Sequence, residues 1–131
     1  MVKVYCLHAD KSTKKLLEFF RENNIHHTVQ RVGQEPVTWE QLVEILMNTE
    51  LGVEDILSDK SNDYKVLVAE GVDFEKITLT ELQQFVEKRP RVLKLPICIH
   101  NRKLLVGFNE EEVTKFKNKK AKRKELEALL S

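Results

Sequence analysis

The hydrophobic spacing of the first 32 residues changes period twice. VKVYC, residues 2–6, is a β-branched apolar run suited to a buried strand. KSTKKLLEFFRENN follows, with Leu16, Leu17, Phe19, Phe20 and then Ile25 at helical spacing and Ser12 available as a cap. HHTVQRV returns to a strand pattern. Two strands of one sheet joined by a crossover helix run parallel, with the helix packed on a face of the sheet. The opening therefore predicts an α/β domain.

The middle of the chain reads as helical. After Pro36, TWEQLVEILMN offers Thr38 as N-cap with Gln41 three residues on, a capping box, and sets Trp39, Leu42, Val43, Leu46 and Met47 on one face. That helix stops near Gly52, for which the local reading is a helix C-terminal glycine with positive φ. VEDILSDKSNDYKVLVAEGV forms one or two short helices ended by Gly71, and TLTELQQFVEKRP another, capped by Thr78 or Thr80. The sheet resumes in LPICIHNRKLLVGF, two short strands joined at His100-Asn101-Arg102. NEEEVTKFKNKKAKRKELEALL closes the chain as a helix, with Asn109 as cap and three glutamates where the macrodipole favours them. The order is β-α-β, three or four helices, then β-β-α. This is a thioredoxin-like mixed sheet with a helical insertion over about residues 36–90.

A chain of 131 residues with 41% apolar content suits a single domain, placed at residues 1–117 with a basic tail at 118–131. The net charge of +1 hides an asymmetry: residues 115–131 carry seven cations and two anions, against 15 and 19 in residues 1–114. Nothing resembles a signal peptide, and no stretch approaches the ~20 apolar residues of a membrane span, so a cytoplasmic protein without a membrane partner is expected. Two cysteines, Cys6 and Cys98, are too few and too far apart for a disulfide framework or a zinc knuckle. Reduced thiols are expected. Each reads first as a small buried hydrophobe of a strand, although a Cys6–Cys98 bond between neighbouring strands is conceivable.

Residues 6–15, CLHADKSTKK, lead from the first strand into the first helix. Thiol enzymes mount a Cys-x-x-Cys pair in such a place, because a helix N-terminus favours the thiolate. Here the loop carries Asp10 and Thr13, within a rim of Lys11, Ser12, Lys14 and Lys15. Capping by Asp10 or Ser12 with solvated lysines is the plain reading; an anion site or a partner surface are the sharper ones. Of the histidines, His8 and His100 are expected close together at the ends of adjacent strands, while His26 and His27 point to opposite faces. No carboxylate or thiol spacing accompanies them, and neither a metal nor a cofactor is expected.

VYC, LLEFFRENNI, EILMNTELGVEDIL, LTELQQFVEKRPRVLKLPICI and LLVGFNEEEVTKF together resemble the Spx branch of the arsenate reductase family almost end to end. TELG and VGFNEEE are the more specific segments. The resemblance implies a reductase fold used to bind the C-terminal domain of the RNA polymerase α subunit and to redirect transcription under disulfide stress. It implies that the family's redox cysteines fall on Asp10 and Thr13, and that its anion-contacting arginine, before the strand-three proline Pro96, falls on Leu95. Lys94 is adjacent but, in a strand, would face the other way. The polymerase-contacting surface would include Gly52, with Thr49 and Glu50 in the same segment. Reduction of arsenate or a disulfide needs a thiolate at the helix start, and Asp10 cannot replace it.

The sequence reading is thus an Spx-like regulator and not an enzyme: no catalytic residues, no Cys-x-x-Cys switch, and contact with the polymerase α subunit as the mode of action. The alternative is an altered or inactive arsenate reductase-like thiol oxidoreductase using Cys6 or another thiol donor. In the tail, Lys119, Lys120, Lys122, Arg123 and Lys124 either form a solvated face or touch DNA phosphates without sequence preference, so promoter DNA is a partner only indirectly. The final LEALLS resembles the family's C-terminus, which is read by an ATP-dependent protease and its adaptor.

Overall fold

A computed structural model describes the chain except residues 9, 118 and 131, and except the side chains of residues 119–122, 124 and 125. Strand β1 (Val2–Cys6) pairs in parallel with β2 (His27–Arg31), in the register Val2 to His27 and Cys6 to Arg31. On its other side β1 runs antiparallel to β3 (Ile97–His100), which pairs in turn with β4 (Lys103–Val106). The sheet order is β2-β1-β3-β4, the mixed topology expected from the alternation of periods. His100 pairs with Lys103 around a two-residue turn, in which Asn101 takes φ 57°. Asparagine tolerates that left-handed backbone better than most side chains.

Helix α1 (Lys11–Glu22) covers one face of the sheet. Its Leu16 and Phe20 meet Val2, Val4, Cys98 and Leu105 from the strands, together with Val113 and Phe116 from a 3-10 turn at Glu112–Phe116. The Phe20 and Phe116 rings stand edge to face at 6.0 Å. Each such fully buried side chain contributes about 2 kcal/mol of hydrophobic stabilisation. The opposite face, with Tyr5, Ile97 and Ile99, lies beneath the insertion: α2 (Trp39–Met47), a 3-10 turn at Gly52–Asp55, α3 (Asn62–Ala69), α4 (Leu79–Lys88) and a 3-10 turn at Pro90–Val92. Burial on both faces explains why β1 is apolar except at Lys3, whose ammonium reaches out to Glu44 of α2 at 3.2 Å.

The caps decide where the helices begin. Thr38 forms with Gln41 the capping box read from the sequence, Thr78 proves to be the cap of α4 rather than Thr80 and forms a second box with Glu81, and Ser61 caps α3. In α1 the cap is Asp10, and Ser12 lies inside the helix. The expected face of α2 needs a larger correction. Leu42 and Ile45 are buried, whereas Trp39 is 43% and Met47 79% exposed. The end of the chain is also not one helix: Asn109 Oδ1 accepts from the amides of Glu111 and Glu112 and starts only the 3-10 turn, while α5 (Lys119–Leu130) is separate. Burial of Val113 and Phe116 at that turn is what the continuous pattern concealed. No helix of the described residues is long and apolar enough to cross a membrane.

Candidate functional site

The loop from β1 into α1 holds no thiol. Asp10 sits in extended backbone (φ −79°, ψ 176°), and its Oδ1 accepts the Thr13 amide at 2.8 Å, satisfying one of the donors that a helix start leaves open. Lys11, Ser12, Lys14 and Lys15 are exposed around it, as expected of a capped and solvated rim. Thr13 turns inward and is 2% exposed, and its Oγ1 finds no hydrogen-bond partner among the described residues.

The chain's two thiols lie within the sheet. Cys6 is 1% exposed and Cys98 0%, and both are free. The register pairs Cys98 with Val4, so the two cysteines are offset along the strands and do not form the conceivable bridge. Burial pushes the Cys98 thiol up to about 12, against a smaller opposing pull from Lys115. Cys6 is also raised, chiefly by burial and further by the Asp10 carboxylate, with Arg31 opposing. Both thiols are therefore held in the protonated, poorly nucleophilic form.

Pro96 is buried behind a cis Leu95–Pro96 peptide and directly precedes β3. The Tyr5–Ile97 register extends to place it opposite Cys6, at the end of the sheet from which the α1 loop departs. Leu95 packs against the core, and Lys94 is exposed with its amide bonded to Ile56 O at 2.8 Å. Neither Lys94 nor Leu95 belongs to the strand, so strand alternation does not govern where Lys94 points. His8 and His100 are not neighbours either. β1 and β3 run antiparallel, so His8 follows the end of β1 while His100 lies beside its start, with Nδ1 3.3 Å from the Met1 amine. Among the described residues no cluster of histidine, cysteine or carboxylate groups is arranged to hold a metal.

A second region lies on the loop after α2. Asn48 is the C-cap of that helix, so Gly52 does not end it and instead opens the next 3-10 turn. Its φ is +84°, the left-handed value expected, and a Cβ built there meets nothing within 4 Å. Two side chains fix the loop. Thr49 Oγ1 donates to Leu46 O at 2.7 Å and accepts the Gly52 amide at 3.1 Å. Asp55 Oδ2 accepts the amides of Glu50 and Leu51, each at 2.9 Å. Glu50 is exposed and Leu51 is 70% exposed. A cleft of about 530 Å³ separates Thr49 and Glu50 from Arg102 and Lys115. Thr49 and Gly52, which the sequence singles out, are joined by a hydrogen bond, while Asp55, which gathers the Glu50 and Leu51 amides, carries no sequence signal beyond a carboxylate four residues after Leu51.

In the tail, Arg123 is exposed on α5, whereas the side chains of Lys119, Lys120, Lys122 and Lys124 lie outside the described residues.

Comparison with known proteins places this geometry. Residues 5–116 match the ArsC family model. The chain is 33% identical over 116 residues to global transcriptional regulator Spx 1 of Bacillus cereus, covering 88% of this chain and 86% of that protein. It is 30% identical over 122 residues to the global transcriptional regulator Spx of Staphylococcus aureus, covering 93% and 91%. Among solved structures, an ArsC family related protein from Bacteroides fragilis superposes with TM-score 0.73 at 24% identity, covering 88% of this chain and 97% of the other. An arsenate reductase from Vibrio cholerae does so with TM-score 0.64 at 16% identity, covering 88% and 93%. The chain belongs to the ArsC family.

Proposed function

We propose that the protein is an Spx-like transcriptional regulator that docks on the C-terminal domain of the RNA polymerase α subunit, in the cytoplasm, and has no thiol switch. One observation carries this reading. The relatives spanning nearly the whole chain are named transcriptional regulators, while the loop that would carry reductase chemistry presents Asp10 tied to its own helix and both thiols are buried. A reductase would need an accessible thiolate, and Cys6 and Cys98 are held protonated inside the sheet. The docking surface is the 49–55 loop: it is hydrogen-bonded to itself and carries a glycine preceded by the exposed Glu50 and Leu51. A bare glycine backbone lets a partner approach closely. Contact of the α5 lysines with promoter phosphates adds affinity only once the polymerase holds the protein beside DNA.

Titration calorimetry with the isolated α C-terminal domain tests the docking. Saturable binding is expected for the wild type. Gly52→Arg should bind at least about 30-fold more weakly, as a loss of about 2 kcal/mol at an interface hot spot implies. Unchanged binding by Gly52→Arg removes this loop from the interface.

A further inference from the structure

At the end of the sheet opposite the α1 loop, a cleft of about 300 Å³ opens between three segments. These are the α1–β2 connection (Asn24–His26), the β3–β4 turn (His100–Lys103) and the exit from the last 3-10 turn (Phe116, Lys117). Its size is at the lower end of small-molecule sites, roughly 300–1,000 Å³. Val2, Ile25 and Phe116 are buried and give it an apolar floor. Lys103, Lys117 and the Met1 amine are cationic, His26 and His100 are imidazoles, Asn24 and Asn101 bring amide groups, and among the described residues no carboxylate lines it. The clefts beside the 49–55 loop, α5 and the outer face of α1 each include glutamates.

The cationic groups are fixed in place. Lys103 Nζ donates to Lys115 O at 3.0 Å, which leaves its ammonium two further protons to donate. Lys117 lies over the Phe19 ring, 5.9 Å from its centroid. Asn24 and Asn101 both hold left-handed backbone, with φ 52° and 57°, so the two connections bordering the cleft keep defined shapes. The carboxyl end of α1 would oppose an anion, but two of its last carbonyls are occupied: the Asn24 amide bonds Arg21 O at 3.2 Å and the Ile25 amide bonds Phe20 O at 2.8 Å.

We propose that this cleft binds a small organic anion, a phosphate or carboxylate carried on a short apolar body. The anionic group meets Lys103, His26 and the Asn24 amide, and the apolar body covers Val2, Ile25 and Phe116. The site is independent of both the α1 loop and the 49–55 loop.

The test is an amide chemical-shift titration of the full 131-residue chain with phenyl phosphate, inorganic phosphate and, as an ionic-strength control, sodium chloride. Phenyl phosphate is expected to give saturable shifts at Asn24–His26 and Asn101–Lys103. It should bind about fivefold more tightly than inorganic phosphate, because its ring removes apolar floor from water. Lys103→Gln and His26→Gln, both at exposed positions, should each weaken it about tenfold, the loss expected of a charge-assisted hydrogen bond. Shifts that grow linearly and match the sodium chloride control overturn the proposal. So does saturable binding unaffected by both substitutions. A short DNA duplex that shifts these amides while both phosphates leave them unmoved at millimolar concentration also overturns it, and assigns this end of the molecule to nucleic acid.

Discussion

Thiol labelling at Cys98 offers a quantitative check on the proposal that this protein carries no reactive thiol. The side chain is 0% exposed and its ionisation is pushed up to about 12. At pH 7.5 the thiolate fraction of such a group is about 3 × 10⁻⁵, against about 0.1 for a free cysteine of pKa near 8.5. Since the thiolate is the nucleophile, ionisation alone slows alkylation about 3,000-fold, before any allowance for access. Burial restricts reaction further, to moments when the sheet opens, and those are rare in a domain stable by several kcal/mol. Iodoacetamide labelling followed by mass spectrometry, run in buffer and in guanidinium chloride at the same pH, gives the two rates directly. We expect native labelling of Cys98 to be at least about 1,000-fold slower than denatured labelling. Cys6 should be protected too, since burial and Asp10 raise it and the strand encloses it. A native rate at either cysteine close to the denatured one would refute the reasoning, because it would mean a reachable thiolate where the fold leaves none.

Two further substitutions probe the physical account. Asp10→Ala removes the cap of α1 and should cost about 1 kcal/mol of stability in urea unfolding; an unchanged midpoint would mean that the 2.8 Å bond to Thr13 contributes nothing. The Tyr5 hydroxyl is buried without a hydrogen-bond partner among the described residues, and burial, reinforced by Glu44, raises its ionisation from 10.0 to about 12. The neutral phenol is thus favoured by folding, so its stabilisation is full below about pH 10 and lost as pH climbs from 10 to 12. Tyr5→Phe should be neutral or stabilising at pH 7 and should flatten the alkaline decline in unfolding midpoint. Part of that decline remains, since Cys98 adds its own from about pH 9 upward. An alkaline profile identical in both proteins would contradict the assignment.

What the sequence revealed was whatever local rules settle. Thr38 with Gln41 is an adjacent-turn pair, and the His100–Lys103 turn closes within four residues, so both were readable without knowledge of the rest, whereas Thr78 and Thr80 stood as equal candidates for the cap of α4. The parallel β1–β2 pair followed from the crossover rule. Features that depend on where distant segments land were not readable. Asp10 and Ser12 are both good caps, and the arrival of the chain from β1 decided for Asp10. On α2 the apolar stripe is wide; the sheet took Leu42 and Ile45 and left Trp39 and Met47 to solvent. The separation of His8 from His100 required the direction of β3, which spacing does not carry. At the 49–55 loop the glycine announced its positive φ, whereas the Asp55 carboxylate that gathers two amides has no periodic signature.

The most direct measurement is the affinity of the isolated polymerase α C-terminal domain for this protein in its reduced form and after treatment with diamide. If docking persists and no thiol pair gates it, both forms bind with dissociation constants equal within about twofold, a difference below 0.5 kcal/mol. Absence of binding, or a change of about tenfold or more on oxidation, would contradict the account.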